Sequence, residues 1–135
     1  MTTSANGLAF ICSNEGFSAT PYYDNGKPCW GYGHDKRPGE AVPVSITQED
    51  AQTLLMADMA PLEAFLSAHE TTLNQNQFDA LVDFGYNLGL GALETMLGHG
   101  LAAVPTQMLR WDYVDGAPDA GILARRQREV ALFNS

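Results

Sequence analysis

The feature that most constrains the fold is a segment, residues 17–44, that is rich in glycine, proline and aromatic side chains and lies between helix-like stretches. Within it, Asn25-Gly26 separates two short strand-like runs, which is the strongest short-range signal for a two-residue β-hairpin. That turn pairs Asp24 with Lys27, Tyr23 with Pro28, and Tyr22 with Cys29. Since side chains alternate along a strand, Asp24 and Cys29 are expected on the same face of the hairpin.

A first helix is predicted ahead of this segment. It is expected to begin at Ser4 or Asn6, which are both good helix caps, and to end at Gly16, a typical C-cap. Apolar residues recur at helical spacing from Leu8, and Glu15 occupies the last position of that apolar face. A carboxyl group at the C-terminal end of a helix, among apolar neighbours, is disfavoured in its charged form, so Glu15 is expected to keep its proton.

The rest of the chain is predicted to be largely helical. A long helix is expected to begin with the capping sequence at Thr47, to be kinked by Pro61 and to end near residue 68. At ~1.5 Å per residue it spans roughly 30 Å, which is long enough to link two lobes. Later helices are predicted at four places: one begun by Asn74 and Gln77, one near 91–102, a short one carrying Met108 and Trp111, and one near 121–133.

These elements predict one α+β domain with a small β-hairpin lobe and a larger helical lobe, joined by the long helix, with a cleft between the lobes. A chain of 135 residues can bury a sufficient core without metal or disulfide staples. The predicted parts are a first helix at 1–16, a β lobe at 17–45, a connecting helix at 46–69 and a helical lobe at 70–135.

The charge of the chain is large and unevenly distributed. The formal net charge is −9, so binding to nucleic acid is not expected, and the apolar runs are too short to cross a membrane. Residues 38–109 contain nine acidic residues and no Lys or Arg, whereas the remainder of the chain is neutral. The excess is therefore expected on a solubilising helical surface, and it does not exclude an anionic polymer as the partner of the hairpin lobe.

Glu15 and Asp24 form a pair of carboxyl groups with different expected surroundings. Hydrolysis of a glycosidic bond needs one carboxyl group held protonated as general acid and one ionised as nucleophile or base. Glu15 at its helix end suits the first role, and Asp24 beside Lys27 on a polar hairpin suits the second. Each residue alone also has an ordinary explanation, Glu15 as a surface residue at a helix end and Asp24 as a turn residue before Asn-Gly.

Motifs spread over nearly the whole chain occur in the order found in one known family. They are Glu15-Gly16-Phe17, Tyr22-Tyr23-Asp24, Gly31-Tyr32-Gly33-His34, Ile46-Thr47-Gln48, residues 73–81, residues 84–89, Leu109-Arg110-Trp111, residues 125–129, and Leu132-Phe133. With these motifs the chain resembles the phage-type lysozymes, the endolysins of glycoside hydrolase family 24. Their active-site segment is Glu, eight residues, Asp or Cys, about five residues, and Thr, followed by Gly-Tyr-Gly-His.

The resemblance implies a muramidase that needs no cofactor and cleaves the β-1,4 bond between N-acetylmuramic acid and N-acetylglucosamine in peptidoglycan. Glu15 matches the general acid of the family, and Asp24 matches its second carboxylate. The family is usually described as inverting, with Asp and Thr holding the attacking water. Carboxyl groups roughly 6.5–9.5 Å apart correspond to inversion and ~5 Å to retention, and the sequence leaves the outcome open.

The chain departs from the family pattern at Cys29, which stands where the family has threonine, one residue closer than usual to Asp24. A thiol is a weak hydrogen-bonding group and holds water less well than a hydroxyl. Three interpretations are open: an active enzyme that is differently tuned, a thiolate nucleophile or redox switch at Cys29, or a protein that binds without cutting. A disulfide to Cys12 is conceivable, since Cys12 lies one turn before Glu15 on the same helix face.

His34 ends the Gly-Tyr-Gly-His run, and the resemblance implies that it is a structural residue that pairs with Asp58. Such a pair would raise the pKa of His34 and tie the two lobes together. A metal site that uses His34, Asp35 and the cysteines is not expected, because neither a CxxC nor an HxxxH spacing is present.

Several further residues have candidate roles. Asn87 matches a family residue beneath the cleft and is a candidate for substrate binding, and Trp111 is a candidate for structural support. The alternative is a buried amide that is hydrogen bonded by an indole N–H. Arg126 or its neighbour Arg125 is expected to orient Glu15, the alternative being surface helix charge. The aromatic residues that could stack on sugars are Tyr22, Tyr23, Trp30 and Tyr32, although some of them must form the core of the lobe.

The expected partner is the glycan of peptidoglycan, bound by a monomer. Residues 1–6 lack a basic start and residues 8–12 are too short for a secretory signal, so synthesis in the host cytoplasm and action on the cell wall after release are expected. Phage-driven host lysis is the expected setting. The alternatives are a catalytically impaired peptidoglycan-binding or regulatory protein and an antibacterial secreted effector.

Overall fold

The computed structural model describes all 135 residues, and the fold is mixed α+β as predicted. The chain divides into two compact units, which we call the sheet unit, Ala9–Pro61, and the helical unit, Met1–Leu8 with Leu62–Ser135. No helix combines the length and the apolar character needed to cross a membrane. The helices are α1 (Ala5–Glu15), α2 (Gln48–His69), α3 (Gln75–Leu88), α4 (Leu90–Leu97), α5 (Val104–Met108) and α6 (Ala120–Phe133). The strands are β1 (Ser18–Asp24), β2 (Lys27–Gly31), β3 (His34–Asp35), β4 (Tyr113–Val114) and β5 (Ala117–Pro118).

Three antiparallel strands in the order β1-β2-β3 form the sheet of the sheet unit. Asp24 pairs with Lys27 and Tyr22 pairs with Cys29, so the predicted hairpin register is confirmed. A two-residue turn that matches the twist of its strands needs left-handed backbone, and Asn25-Gly26 supplies it with φ of 50° and 78°. The turn therefore fixes which side chains of β1 and β2 lie next to each other.

Helix α1 begins and ends at predicted positions. The hydroxyl of Ser4 accepts a hydrogen bond from the backbone N–H of Gly7 at 3.0 Å, which is the expected N-cap. Gly16 ends the helix with φ of 74°, and its backbone N–H donates to the carbonyl of Cys12 at 3.0 Å. Glu15 is therefore the last helical residue, directly ahead of β1.

Helix α2 supplies the apolar surface on which the sheet packs within the sheet unit. Thr47 caps it as predicted, since its hydroxyl accepts from the backbone N–H of Asp50 at 3.1 Å. A Cβ atom at Gly31 would lie 3.1 Å from the Cβ of Ala51, so glycine at this position lets strand and helix approach closely. The buried apolar residues of this unit are Ile11, Cys29, Trp30, Tyr32, Ala51, Leu55 and Met59.

Helix α3 is the central element of the helical unit. It begins with the predicted capping box, in which Asn74 and Gln77 each accept from the other's backbone N–H at 2.8 and 2.9 Å. Phe78, Leu81 and Val82 are buried, as their spacing predicts. Most of the next turn is buried as well, which makes α3 the core helix of this unit.

The predicted helix near 91–102 is wrong in its extent. Helix α4 ends at Leu97. Gly100 has a left-handed backbone with φ of 89°, and a separate short 3₁₀ turn follows it over Leu101–Ala103. Trp111 lies after α5 rather than on it. The hairpin formed by β4 and β5 was not predicted, although its Asp115-Gly116 turn carries the same kind of signal as the first hairpin.

Candidate active site

Alternation along β2 gives the sheet two chemically different faces. Cys29 is flanked by Tyr22 on β1 and by Asp35 on β3, and Asp24 lies two residues beyond Tyr22. These four side chains therefore share one face, which we call the Cys29 face. The predicted placement of Asp24 and Cys29 on the same side of the hairpin is present in the structure.

Glu15 lies within electrostatic reach of the Cys29 face. Burial raises the pKa of Tyr22, and the negative charges of Cys29, Glu15, Asp24 and Asp35 raise it further, in that order. Coulombic effects of this kind weaken with distance and with exposure to water, so the direction of the shift agrees with the placement of Asp24 and Asp35 on the same face as Tyr22. The two carboxyl groups that the sequence singles out thus act on one side chain of the sheet unit.

The thiol of Cys29 is buried and makes a hydrogen bond. It is 2% exposed, and its Sγ donates to Oδ1 of Asp35 at 3.1 Å. Burial, the hydrogen bond to Asp35, and the charges of Asp35 and Asp24 raise the pKa of the thiol to about 11. At pH 7 only about one such thiol in 10,000 is ionised, which makes Cys29 unsuited to nucleophilic attack as a thiolate.

Cys12 and Cys29 are both free thiols, so the disulfide that the sequence left open is not formed. Burial raises the pKa of the Cys12 thiol, which also makes a hydrogen bond with Tyr32. Neither cysteine has the lowered pKa typical of redox-sensing thiols. No group of three or more His, Cys, Asp and Glu side chains is arranged to hold a metal ion.

The opposite face of the sheet is buried. The ring of Trp30 is 2% exposed and lies 5.0 Å from the ring of His34, and Tyr32 is 6% exposed. Rings buried to this degree have no free face for a sugar, so the structure contradicts the predicted stacking role of Trp30 and Tyr32. Of the four aromatic candidates, Tyr22 and Tyr23 are exposed.

His34 and Asp58 form the pair implied by the resemblance, with Nδ1 2.6 Å from Oδ2, and both belong to the sheet unit. The other ring nitrogen lies 2.8 Å from Oε1 of Glu40, and Arg37 also pairs with Asp58. Burial opposes the charged form of His34, but the hydrogen bonds to the two carboxylates outweigh it and raise the pKa of His34 above 6.5. Glu40 was not predicted, although the turn at Pro38-Gly39 directs the chain back toward His34.

Asn87, Trp111 and Arg126 belong to the helical unit. Oδ1 of Asn87 accepts from Nη2 of Arg126 at 2.6 Å, so a guanidinium rather than the indole N–H satisfies this amide. Trp111 instead packs edge-on against Phe84 with ring centroids 5.8 Å apart. Arg126 is 0% exposed, which contradicts the surface-charge alternative. Its orienting effect on Glu15 stays a prediction.

Arg126 belongs to a buried ionic cluster that was not predicted. Arg125 donates to Asp83 from Nε at 3.1 Å and from Nη2 at 3.0 Å, and Arg126 donates to Glu129 at 2.8 Å. Burial, together with the hydrogen bond and the charge of Asp83, raises the pKa of Glu129, whereas the charges of Arg126 and Arg125 lower it. The helical spacing of the two arginines and Glu129 was the available signal.

Comparisons with known proteins agree with this fold. The family model described as Phage lysozyme matches residues 12–129. The endolysin of Salmonella phage P22 is 36% identical over 100% of this chain and 99% of its own length. The endolysin of Bacillus phage PZA is 34% identical over 100% of this chain, and the chain spans only 56% of that longer protein.

Two solved structures have similar folds. An endolysin from Escherichia coli O157:H7 phage FAHEc1 superimposes with a TM-score of 0.86 and 31% identity, covering 98% of this chain and 93% of that one. The muramidase domain of SpmX from Asticaccaulis excentricus gives a TM-score of 0.84 and 29% identity, covering 99% and 98%. With a family match over most of its length and a relative matched end to end, the chain belongs to the phage lysozyme family.

Proposed function

We propose that this protein is a muramidase that hydrolyses the β-1,4 bond between N-acetylmuramic acid and N-acetylglucosamine of peptidoglycan in phage-driven host lysis. The observation that carries the proposal is that Glu15 ends α1 directly ahead of β1 and Asp24 ends β1 at the hairpin turn, so that the sheet unit holds both carboxyl groups. Two carboxyl groups at one site are what glycosidic hydrolysis requires. Family membership and the similarity to a muramidase domain support the same reaction.

In the proposed reaction Glu15 protonates the oxygen of the leaving sugar. Its place as the last residue of α1 puts it at the negative end of the helix dipole, which favours a proton on the carboxyl group. Asp24 is exposed beside the Asn25-Gly26 turn, so water can reach its carboxylate. We assign it the second role, in which a carboxylate activates water or stabilises the positive charge that develops on the sugar.

The test is a pair of matched substitutions in the purified protein. Glu15→Gln removes the transferable proton at nearly constant shape and should abolish clearing of outer-membrane-permeabilised bacteria and release of reducing ends. Glu94→Gln, at an exposed position of α4, removes the same charge elsewhere and should leave both activities unchanged. A wild type that releases no reducing ends from peptidoglycan would refute the enzyme proposal.

The second candidate is a protein that binds peptidoglycan without cutting it, and the specific observation that favours it is Cys29. Its thiol is buried and donates its proton to Asp35, so it binds an attacking water less well than the threonine hydroxyl of the family would. In that case Cys29→Thr should create activity in a protein that has none. If the wild type already cleaves, this candidate is rejected.

We propose peptidoglycan glycan strands as the partner of a monomeric protein, and release from the host cytoplasm to the wall as its route. An antibacterial effector delivered by a secretion system would use the same chemistry in a different setting. The neighbouring genes distinguish the two, because a holin gene indicates host lysis and an immunity gene indicates an effector.

A further inference from the structure

The chain contains two Asn-Gly pairs, and the structure places them in different surroundings. An asparagine followed by glycine loses its side-chain amide most readily, because glycine has no Cβ atom to hinder attack by its backbone nitrogen. Asn6-Gly7 lies in the first turn of α1, whereas Asn25-Gly26 forms the turn between β1 and β2. These surroundings decide which of the two pairs can react in the folded protein.

The backbone nitrogen of Gly7 is held by the fold. It donates to the Ser4 hydroxyl at 3.0 Å, and Gly7 is buried against Asp79. Attack on the amide of Asn6 would require the peptide unit between Asn6 and Gly7 to rotate. That rotation would break the hydrogen bond to Ser4 and the first turn of α1, so the fold protects Asn6.

The turn at Asn25-Gly26 has neither restraint. Both residues are exposed, and a Cβ atom at Gly26 would meet no atom within 4 Å. Neither the Asn25 amide nor the Gly26 N–H makes a hydrogen bond within the protein. Hairpin turns of types I′ and II′ differ mainly by rotation of the central peptide unit, so this unit can rotate while the strands stay paired. The Gly26 nitrogen can therefore reach Cγ of Asn25 without unfolding of the hairpin.

We propose that Asn25-Gly26 is a site of spontaneous deamidation, and that the isoaspartate formed there displaces Asp24 and ends the activity of the protein. The lone pair of the Gly26 nitrogen attacks Cγ of Asn25. The N–Cγ bond forms, the Cγ–Nδ2 bond breaks, and ammonia leaves with the proton of the Gly26 nitrogen. Water then opens the resulting succinimide ring. Cleavage of the N–Cγ bond gives aspartate, whereas cleavage of the bond from nitrogen to the backbone carbonyl carbon gives isoaspartate.

The two products differ in their effect on the hairpin. Asp-Gly fits the same turn as Asn-Gly, so aspartate at position 25 keeps the register in which Asp24 pairs with Lys27. Isoaspartate adds its β-carbon to the main chain, and a two-residue turn with an extra backbone atom no longer closes that register. Asp24 directly precedes the turn, so its carboxylate is displaced. The loss of activity rests on the proposed function, whereas the modification does not.

The first experiment follows both Asn-Gly pairs in one sample. The purified protein is held at physiological temperature and mildly alkaline pH, and its peptides are analysed by mass spectrometry, with isoaspartyl methyltransferase to detect isoaspartate. In the folded protein Asn25 should deamidate about tenfold faster than Asn6, the ratio that corresponds to the hydrogen bond of Gly7. In denaturing urea the two sites should react at similar rates. A folded protein in which Asn25 reacts no faster than Asn6 would overturn the proposal.

The second hairpin provides a matched control. Asp115-Gly116 is exposed and has the same left-handed backbone, with φ of 50° and 79°, but it carries a carboxyl group in place of the amide. Asp115→Asn should therefore create a second reactive site in a turn of the same geometry. If this variant deamidates at position 25 and not at position 115, the argument from the turn is wrong.

Activity on peptidoglycan is measured in samples aged for increasing times. Wild-type activity should fall in proportion to the isoaspartate fraction at position 25. Asn25→Gly keeps a favourable turn without an amide and should retain its starting activity. If Asn25→Gly loses activity as fast as the wild type, displacement of Asp24 is refuted and the muramidase proposal stands. A fresh wild type without activity refutes the muramidase proposal, while the peptide analysis still decides whether Asn25 deamidates.

Discussion

Gly7 provides a test in which two physical effects have opposite signs. It lies inside α1, where replacing glycine by alanine ordinarily stabilises a helix by about 1 kcal/mol. A Cβ atom at this position, however, would lie 2.7 Å from both carboxylate oxygens of Asp79 and in closer contact with its Cγ. Gly7→Ala therefore forces the Asp79 side chain away from its place.

The cost follows from the hydrogen bonds that Asp79 makes. Its carboxylate is 1% exposed and accepts from the backbone N–H of Ser4 at 3.0 Å, from the Ser4 hydroxyl, and from Nε2 of Gln75 at 2.9 Å. Hydrogen bonds to a charged group contribute about 1.5–3 kcal/mol each, so losing both bonds to Ser4 costs about 3–6 kcal/mol. After the gain in helix propensity, the free energy of unfolding should fall by about 2–5 kcal/mol. The corresponding fall in Tm is on the order of 10 °C.

The measurement is urea unfolding at neutral pH followed by circular dichroism, with thermal unfolding as a second readout. Gly91→Ala is the matched control, because Gly91 lies in α4 and a Cβ there would have no atom within 4 Å. This control should be neutral or stabilised by up to about 1 kcal/mol. If Gly7→Ala is as stable as Gly91→Ala, the argument from the Asp79 contact is refuted.

pH, salt and reductant provide three more tests. The raised pKa of His34 means that the folded state favours its proton, so this contribution to stability is complete below pH 6.5 and is lost as pH rises through the raised value. The free energy of unfolding should therefore fall more between pH 6 and 8 in the wild type than in His34→Gln. An equal fall in the two proteins would show that the pKa of His34 is not raised by folding. Because residues outside 38–109 are neutral overall, lysis of cell walls should depend weakly on salt, and a steep loss at modest salt would refute this placement of charge. Denatured protein should titrate two thiols, Cys12 and Cys29, with or without reductant, and the loss of both without it would reveal a disulfide.

The sequence predicted best where local chemistry decides the structure. The Asn25-Gly26 turn fixed the register of the hairpin, because its backbone geometry permits only one short connection. The caps at Ser4, Thr47 and Asn74 located three helix starts for the same local reason. The helix position marked Glu15 as a carboxyl group expected to keep its proton, and family resemblance then favoured a functional role over that of a surface residue at a helix end.

What could not be predicted depends on contacts distant in sequence. Alternation separates Trp30 from Cys29 but does not show that β2 is buried on both faces, so the burial of Trp30 was missed. The partner of Asn87 could not be predicted, because Arg126 lies 39 residues away on another helix. Asp35 was overlooked as part of the site because its position opposite the thiol depends on a third strand of only two residues.

The two faces of β2 also limit how this segment can change. Successive side chains of the strand have different surroundings, since Cys29 contacts Asp35 and its neighbour Trp30 packs against the ring of His34. Any insertion or deletion of a single residue between the turn and Gly31 would exchange the two faces, burying acidic groups and exposing indole and imidazole. Within β2, substitutions at constant length keep both faces in place. Changes in length have room in the largely exposed stretch 41–45, which contains no helix or strand.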